Sequence, residues 1–108
     1  MPEQIELVIT SPEGEFLRRP ATLVELATAA GQIGVMAGHE RLLTTLEIGK
    51  LTVWNDRQRE TFFVGGGFAR VMPTRVSVLA LTVAAATDDR ALERCRARFV
   101  EWLDSDSG

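Results

Sequence analysis

Few residues in this 108-residue chain have the types and spacing that bond chemistry demands. His39-Glu40 is the one histidine–carboxylate neighbour pair. As a general base, His39 would need a nucleophile within reach; as a metal ligand, it would need companions. The chain has one histidine, which excludes a histidine-rich metal centre, and adjacent residues on an extended chain point apart. A turn histidine bonded to backbone, or touching a partner, is the preferred reading. Gly65-Gly66-Gly67 suggests a phosphate loop, but Phe68-Ala69-Arg70-Val71 follows as a strand, without the Gly-Lys-Ser/Thr that opens a helix. A hydrolase oxyanion loop would also need a serine elbow, which is missing. A strand corner or bulge where two backbones approach closely fits the glycines better. Cys95 lies between Arg94 and Arg96 on an apolar stripe and reads as a packing residue rather than a thiolate. Ser11 and Thr44 have no base in view. The chain is therefore expected to be no enzyme and to need no metal or cofactor.

Composition narrows the classes further. Apolar residues make up 45% and charged residues 25%, as in an ordinary soluble domain, and the net charge is -3. Without a basic excess, nucleic-acid binding is not expected. A lone cysteine makes no internal disulfide. The longest apolar run, Val76 to Ala86, is interrupted by Ser77 and Thr82 and is too short for a membrane span. The start, Met1-Pro2-Glu3-Gln4, has no signal-peptide character, so a cytoplasmic chain, at most peripheral to a membrane, is expected.

The elements that would position these residues are short strands separated by turn signals about eight to twelve residues apart. Ile5, Leu7 and Ile9 alternate with polar or outward positions and end at the turn Ser11-Pro12-Glu13-Gly14. Phe16-Leu17 begins a second stretch, expected to break at Arg18-Arg19-Pro20. Thr22 to Ala27 follows, then Ile33 to Met36, with Ala37-Gly38-His39-Glu40 turning the chain. Leu42 to Leu46 and Leu51 to Trp54 are expected to flank a turn at Glu47-Ile48-Gly49-Lys50. Hairpins are expected over Asn55 to Arg59 and over Met72-Pro73-Thr74. The period changes near Thr87, a candidate N-cap, beyond which Leu92, Cys95, Phe99, Trp102 and Leu103 fall at helical spacing. The reading is a mainly β fold: an antiparallel β-sandwich of about eight to ten short strands, residues 1–84, followed by one C-terminal amphipathic α-helix, residues 85–108.

Gly31-Gln32-Ile33-Gly34-Val35, Gly38-His39, Leu42-Leu43-Thr44 and Ile48-Gly49 together resemble the signature stretch of the ATP synthase epsilon subunit. Gly66-Gly67-Phe68, Val71, Pro73, Val76 and Val78-Leu79-Ala80 resemble that family's second signature. The opening Val8-Ile9-Thr10-Ser11-Pro12-Glu13-Gly14 is similar to its first strand and turn. The matches run in family order over residues 5–81. The resemblance implies a non-catalytic rotor subunit of a proton- or sodium-translocating F-type ATP synthase, coupling the gamma subunit to the c-ring. It would sit on the cytoplasmic face of the bacterial inner membrane without inserting into it. Carried onto this chain, Ser11 and the turn His39-Glu40-Arg41 would border gamma. The loop Thr28-Ala29-Ala30-Gly31-Gln32 would face the c-ring.

Departures matter too. Gln32 stands where an acidic residue is frequent, Ala37 and Arg41 where prolines are, and Gly65 where a serine is. The family's C-terminal domain is a helical hairpin that can inhibit ATP hydrolysis, whereas one helix is expected here, with little or no inhibition. Leu92-Glu93-Arg94-Cys95-Arg96-Ala97 resembles the family's ATP-sensing pattern in degenerate form, carried by Leu92, Glu93, Arg96 and Ala97 with glutamate in place of aspartate. Two readings of other classes compete. One is a small-ligand or carbohydrate-binding β-sandwich module, which would line a groove with exposed aromatics; most of Phe16, Trp54, Phe62, Phe63 and Phe68 are expected to alternate inward. The other is a small enzyme built on His39, Glu40 and the three glycines. For the degenerate ATP motif the expected outcome of a calorimetric ATP titration is weak or no binding; tight binding would refute it.

Overall fold

Alternating apolar residues build two packed sheets that share one long strand. The computed structural model describes residues 3–85 together with Ala97. The described strands are β1 (Ile5–Ser11), β2 (Gly14–Ala21), β3 (Leu23–Thr28), β4 (Gly31–Val35), β5 (Leu42–Asn55), β6 (Gln58–Val64), β7 (Gly67–Val71), β8 (Arg75–Ala80) and β9 (Val83–Ala85). The first sheet runs β2-β1-β8-β7 and ends on the first residues of β5. The second runs β4-β3, then the remainder of β5, then β6 and β9. Ile5, Leu7 and Ile9 from β1, Val24 and Leu26 from β3, Leu51 and Val53 from β5, and Val76 and Val78 from β8 meet in one core between the sheets. Each such side chain is worth roughly 1.5–3 kcal/mol on leaving water. The sandwich and its strand number match the sequence reading. The helix expected at residues 85–108, with its N-cap and apolar stripe, lies outside the described residues apart from Ala85, which ends β9 instead, and Ala97, which is helical and exposed.

Four local features differ from the sequence reading, each for a backbone reason. First, β5 is continuous from Leu42 to Asn55, with no turn at Glu47–Lys50. Gly49 and Lys50 pair with Val64 and Phe63, so the second half of the expected turn is held in a ladder. The chain changes sheets within the strand instead: Leu42–Thr45 pair with β7, and from Leu46 onward the partners are β3 and β6. The irregularity sits in β5 itself: between the pairs Thr28–Leu46 and Leu26–Leu51, β3 contributes one residue, Ala27, and β5 four, 47–50.

Second, β2 runs through Arg18-Arg19-Pro20 without a break. The amide of Glu6 donates to the Thr74 carbonyl (3.0 Å), so the backbone of Glu6, Val8 and Thr10 faces β8 while that of Ile5, Leu7 and Ile9 faces β2. Their partners Ala21, Arg19 and Leu17 bond to β1, which leaves Pro20 turned to the open edge, where a missing N–H costs nothing. Third, β1 and β8 pair in parallel, the one parallel ladder among the described strands. Fourth, the hairpin after β5 needs only Asp56-Arg57 as its turn. Asp56 takes a positive φ of 57° there, which a short polar side chain tolerates, and its amide donates to Thr22 Oγ1 (3.0 Å).

The β7–β8 hairpin is as expected and sets the pairing phase of its neighbours. Met72 and Arg75 exchange both backbone hydrogen bonds (2.8 and 3.4 Å), so Phe68 and Arg70 bond toward β8 while Ala69 and Val71 bond toward β5. Leu42 and Thr44 thus bond to β7, and the N–H and C=O of Leu43 and Thr45 face away from it. In keeping with that phase, the Thr45 carbonyl accepts the Ala29 amide (3.2 Å).

Gly65-Gly66-Gly67 is the strand corner that the glycines suggested. The Gly65 amide donates to Thr82 O (2.9 Å), and Gly66 O accepts the Leu81 amide (3.2 Å). Gly67 sits at φ 122°, and a methyl group built on it would collide with the Leu79 carbonyl. Strain at such a φ and a backbone collision add, so Gly67→Ala is expected to destabilise the fold by about 3 kcal/mol or more, read from urea unfolding midpoints.

Candidate functional site

The turn containing His39 is tied into the hairpin that follows β7. Gly38, at φ 82°, donates its amide to the Pro73 carbonyl (2.9 Å), and the His39 amide donates to Met36 O (3.2 Å). His39 Nδ1 lies 2.7 Å from the carbonyl oxygen of Glu40, so that nitrogen carries the proton and donates. Arg41 reaches Met72 Sδ at 3.4 Å. This is the backbone-bonded turn histidine of the sequence reading. Glu40 and Arg41 are exposed beside it.

Ser11 lies elsewhere. It closes β1 in the turn to β2, where its Oγ accepts the Glu13 amide (3.2 Å) and donates to the Gly14 carbonyl (3.4 Å). Glu6 pairs with Arg75 near the His39 turn, whereas Thr10, just before Ser11, pairs with Leu79. Ser11 and the His39 turn therefore mark opposite ends of the first sheet and do not meet.

Between those ends, on the outer face of that sheet, is a surface that residue-by-residue reading missed. Register places Thr45, Phe68, Leu79 and Thr10 in one row and Leu43, Arg70, Ser77 and Val8 in the next. Leu43 is 70% exposed, Phe68 51% and Leu79 48%. With Thr10, Arg70, Ser77 and Val78 they line a shallow, mainly apolar depression. The signal was present in the alternation: Phe68 and Leu79 are out of phase with buried Ala69, Val71, Val78 and Ala80. It takes the strand pairing to show that they are neighbours. Toward the other side of the same face the surface is ionic. Glu6 accepts from Arg18 (2.8 Å) and Arg75 (2.9 Å), and Arg18 also meets Glu15 (2.8 Å). The hydrogen bonds that Arg18 donates to Glu15 and then to Glu6 raise its pKa above the ordinary value, so the guanidinium stays charged.

The loop expected to face the c-ring is the β3–β4 turn. Ala29, Ala30, Gly31 and Gln32 are exposed and uncharged. Thr28 is not: it is 4% exposed, its Oγ1 donating to Gly31 O (2.6 Å) and accepting the Ala30 amide (3.2 Å). Thr28 shapes the loop from inside, and the Ala29–Thr45 bond sets the loop against the first residues of β5. Of the expected ATP-sensing residues, Leu92, Glu93 and Arg96 lie outside the described residues.

The aromatics correct another expectation. Phe62 alone among them is buried; Phe63 and Trp54 are half-buried, and Phe16 and Phe68 are exposed. Phe16 stands edge-on to Phe62 with centroids 6.0 Å apart, so it caps the core edge. The Trp54 indole N–H donates to Glu25 (2.6 Å) while Arg59 lies 5.4 Å over its ring, which engages that side chain internally. Among the described residues no cluster of three histidine, cysteine or acidic side chains is placed to hold a metal ion, and no helix is long and apolar enough to cross a membrane. Because the buried Thr28 hydroxyl satisfies two backbone groups of the loop, Thr28→Val is expected to cost about 1–3 kcal/mol in thermal or urea unfolding.

Comparison with known proteins follows this geometry. The family model of the ATP synthase delta/epsilon chain, β-sandwich domain, matches residues 4–86. The ATP synthase epsilon chain of Francisella tularensis subsp. tularensis (strain WY96-3418) is 33% identical over 101 residues, covering 92% of this chain and 70% of its own length. That of Solibacter usitatus (strain Ellin6076) is 37% identical over 97 residues, covering 90% and 72%. In the cryo-EM structure of the Euglena gracilis mitochondrial ATP synthase OSCP/F1/c-ring, a similar fold aligns at a TM-score of 0.73 and 21% identity, over 100% of this chain and 84% of that one. A chain of the Tetrahymena thermophila mitochondrial ATP synthase central stalk and c-ring aligns at 0.64 and 14% identity, over 81% and 73%. A sandwich matched over its whole length, with relatives of this identity across nine-tenths of the sequence, places the chain in the ATP synthase epsilon chain family.

Proposed function

We propose that the chain is a non-catalytic rotor subunit of the central stalk of a proton- or sodium-translocating F-type ATP synthase. It binds the gamma subunit through the outer face of the β2-β1-β8-β7-β5 sheet. The exposed loop Ala29–Gln32 turns toward the c-ring, and the whole assembly is peripheral on the cytoplasmic face of the bacterial inner membrane. Residues 1–84 form the coupling domain; residues 85–108 are a C-terminal helical segment with little or no inhibitory action.

One observation carries this reading: the apolar face formed by Leu43, Phe68 and Leu79. Three large apolar side chains, each roughly half exposed or more and adjacent in register, lose free energy to water unless a partner covers them. The face is bounded at one end by Ser11 and at the other by the His39 turn, the positions that the family resemblance assigns to gamma. The backbone ties of that turn to Pro73 and Met36 hold its exposed residues in a defined position. A load-transmitting subunit needs such stiffness, and two sheets locked by a shared strand supply it.

The test is co-purification with the gamma subunit encoded in the same genome, followed by size-exclusion chromatography with mass detection. A one-to-one complex is expected, with an interface above roughly 1,200 Å². Phe68→Glu and Leu79→Glu, which place charge on the exposed face and leave the core untouched, are expected to weaken it at least a hundredfold. Separate elution of the wild-type chains at micromolar concentration would overturn the reading.

A further inference from the structure

Among the described strands the first sheet has two open edges, and they are built differently. At β2 the outward-facing backbone belongs to Arg18 and Pro20, so the edge carries charge and lacks one donor altogether. Charge and proline are the usual devices that stop a strand from accepting another. At the other edge, β5 presents Leu42-Leu43-Thr44-Thr45 with neither device. The pairing phase turns the N–H and C=O of Leu43 away from β7, and among the described strands none pairs with Leu43 on that side. Thr45 O is taken by Ala29, which closes the edge on one side of Leu43 and leaves the stretch before it open. The Leu43 side chain meanwhile forms the margin of the apolar face described above.

Resting on the reading of that face as the gamma-docking surface, we propose that gamma adds an extended segment to this edge. Its backbone pairs with the Leu43 N–H and C=O, and its alternate apolar side chains continue the Leu43–Phe68 surface. The occupant is a strand, not a helix, because the edge offers a donor and an acceptor in one plane beside an apolar strip. Gamma is its source because edge and face are continuous through one residue, so whatever covers the face reaches the edge. Backbone pairing would also fix the partner's orientation about the stalk, which an apolar contact alone does not.

Leu43→Pro removes the outward N–H and leaves the β5–β7 bonds of Leu42 and Thr44 in place. Leu43→Ala removes the side chain and keeps the N–H. In calorimetric titrations with purified gamma, the proline variant is expected to bind roughly tenfold or more weakly than wild type, and the alanine variant less than that. Hydrogen exchange at the Leu43 amide of the wild-type chain, expected to slow at least tenfold in the complex, gives the same answer without a variant. Equal affinity of the proline and wild-type chains, or an unprotected Leu43 amide in the complex, would overturn strand addition while leaving gamma docking intact. No binding of gamma by wild type would overturn both. Protection of that amide in the chain alone would also overturn it, assigning the edge to a second copy if protection rises with concentration, or to residues 86–108 if their deletion removes it.

Discussion

Everything in this fold depends on β5 belonging to both sheets. Its first four residues complete one sheet and the remainder forms the middle of the other. A strand that crosses between layers couples them through covalent backbone, so the sheets cannot slide without breaking ladders on both sides. Leu46, Leu51 and Val53 then face the same core that β1 and β8 fill from the opposite layer. The Ala29–Thr45 bond sits where the strand changes partners and ties the β3–β4 loop to that point. A contact made at the loop is therefore one hydrogen bond away from the strand that borders the apolar face.

The outer face of the first sheet is divided in kind. Toward β2 it is ionic, with Glu6 held between Arg18 and Arg75. Exposed pairs of this sort contribute little to stability, and their stronger effect is on which partners the surface rejects. Toward β5 it is apolar and unguarded. Such a division favours a partner that lies across β7 and β8 and stops short of β2.

Several residues singled out by type proved to be structural donors and acceptors. Ser11, Thr28 and His39 each spend their polar atoms on nearby backbone, shaping a turn whose other residues are exposed. These short polar side chains occur at such turns because they can replace a missing backbone partner. Residue type therefore marked residues that shape turns, but not the surface between those turns. Leu43, Phe68 and Leu79 look like ordinary strand residues in a sequence, 11 to 36 positions apart, and become one surface only through the β5–β7 and β7–β8 registers.

Local chemistry decided much on its own. Alternation fixed which face of β1, β3 and β8 is buried; Pro12-Glu13-Gly14 and Met72-Pro73-Thr74 fixed where the chain turns; the glycine triplet marked a corner that at Gly67 has no room for a side chain. These features depend on interactions within a few residues, or on burial, and both leave a periodic trace. Tertiary structure alone decided the rest. It kept Glu47–Lys50 within a strand rather than a turn, because β6 takes up Gly49 and Lys50 in its ladder while β3 holds the strand on either side, at Leu46 and Leu51. It allowed Pro20 inside a strand, because the pairing phase aimed its missing donor at water. It paired β1 with β8 in parallel, and it assembled the apolar face through the β5–β7 and β7–β8 registers. Each of these outcomes rests on hydrogen bonds between residues distant in sequence, and a partner's phase leaves no mark on the residues that receive it.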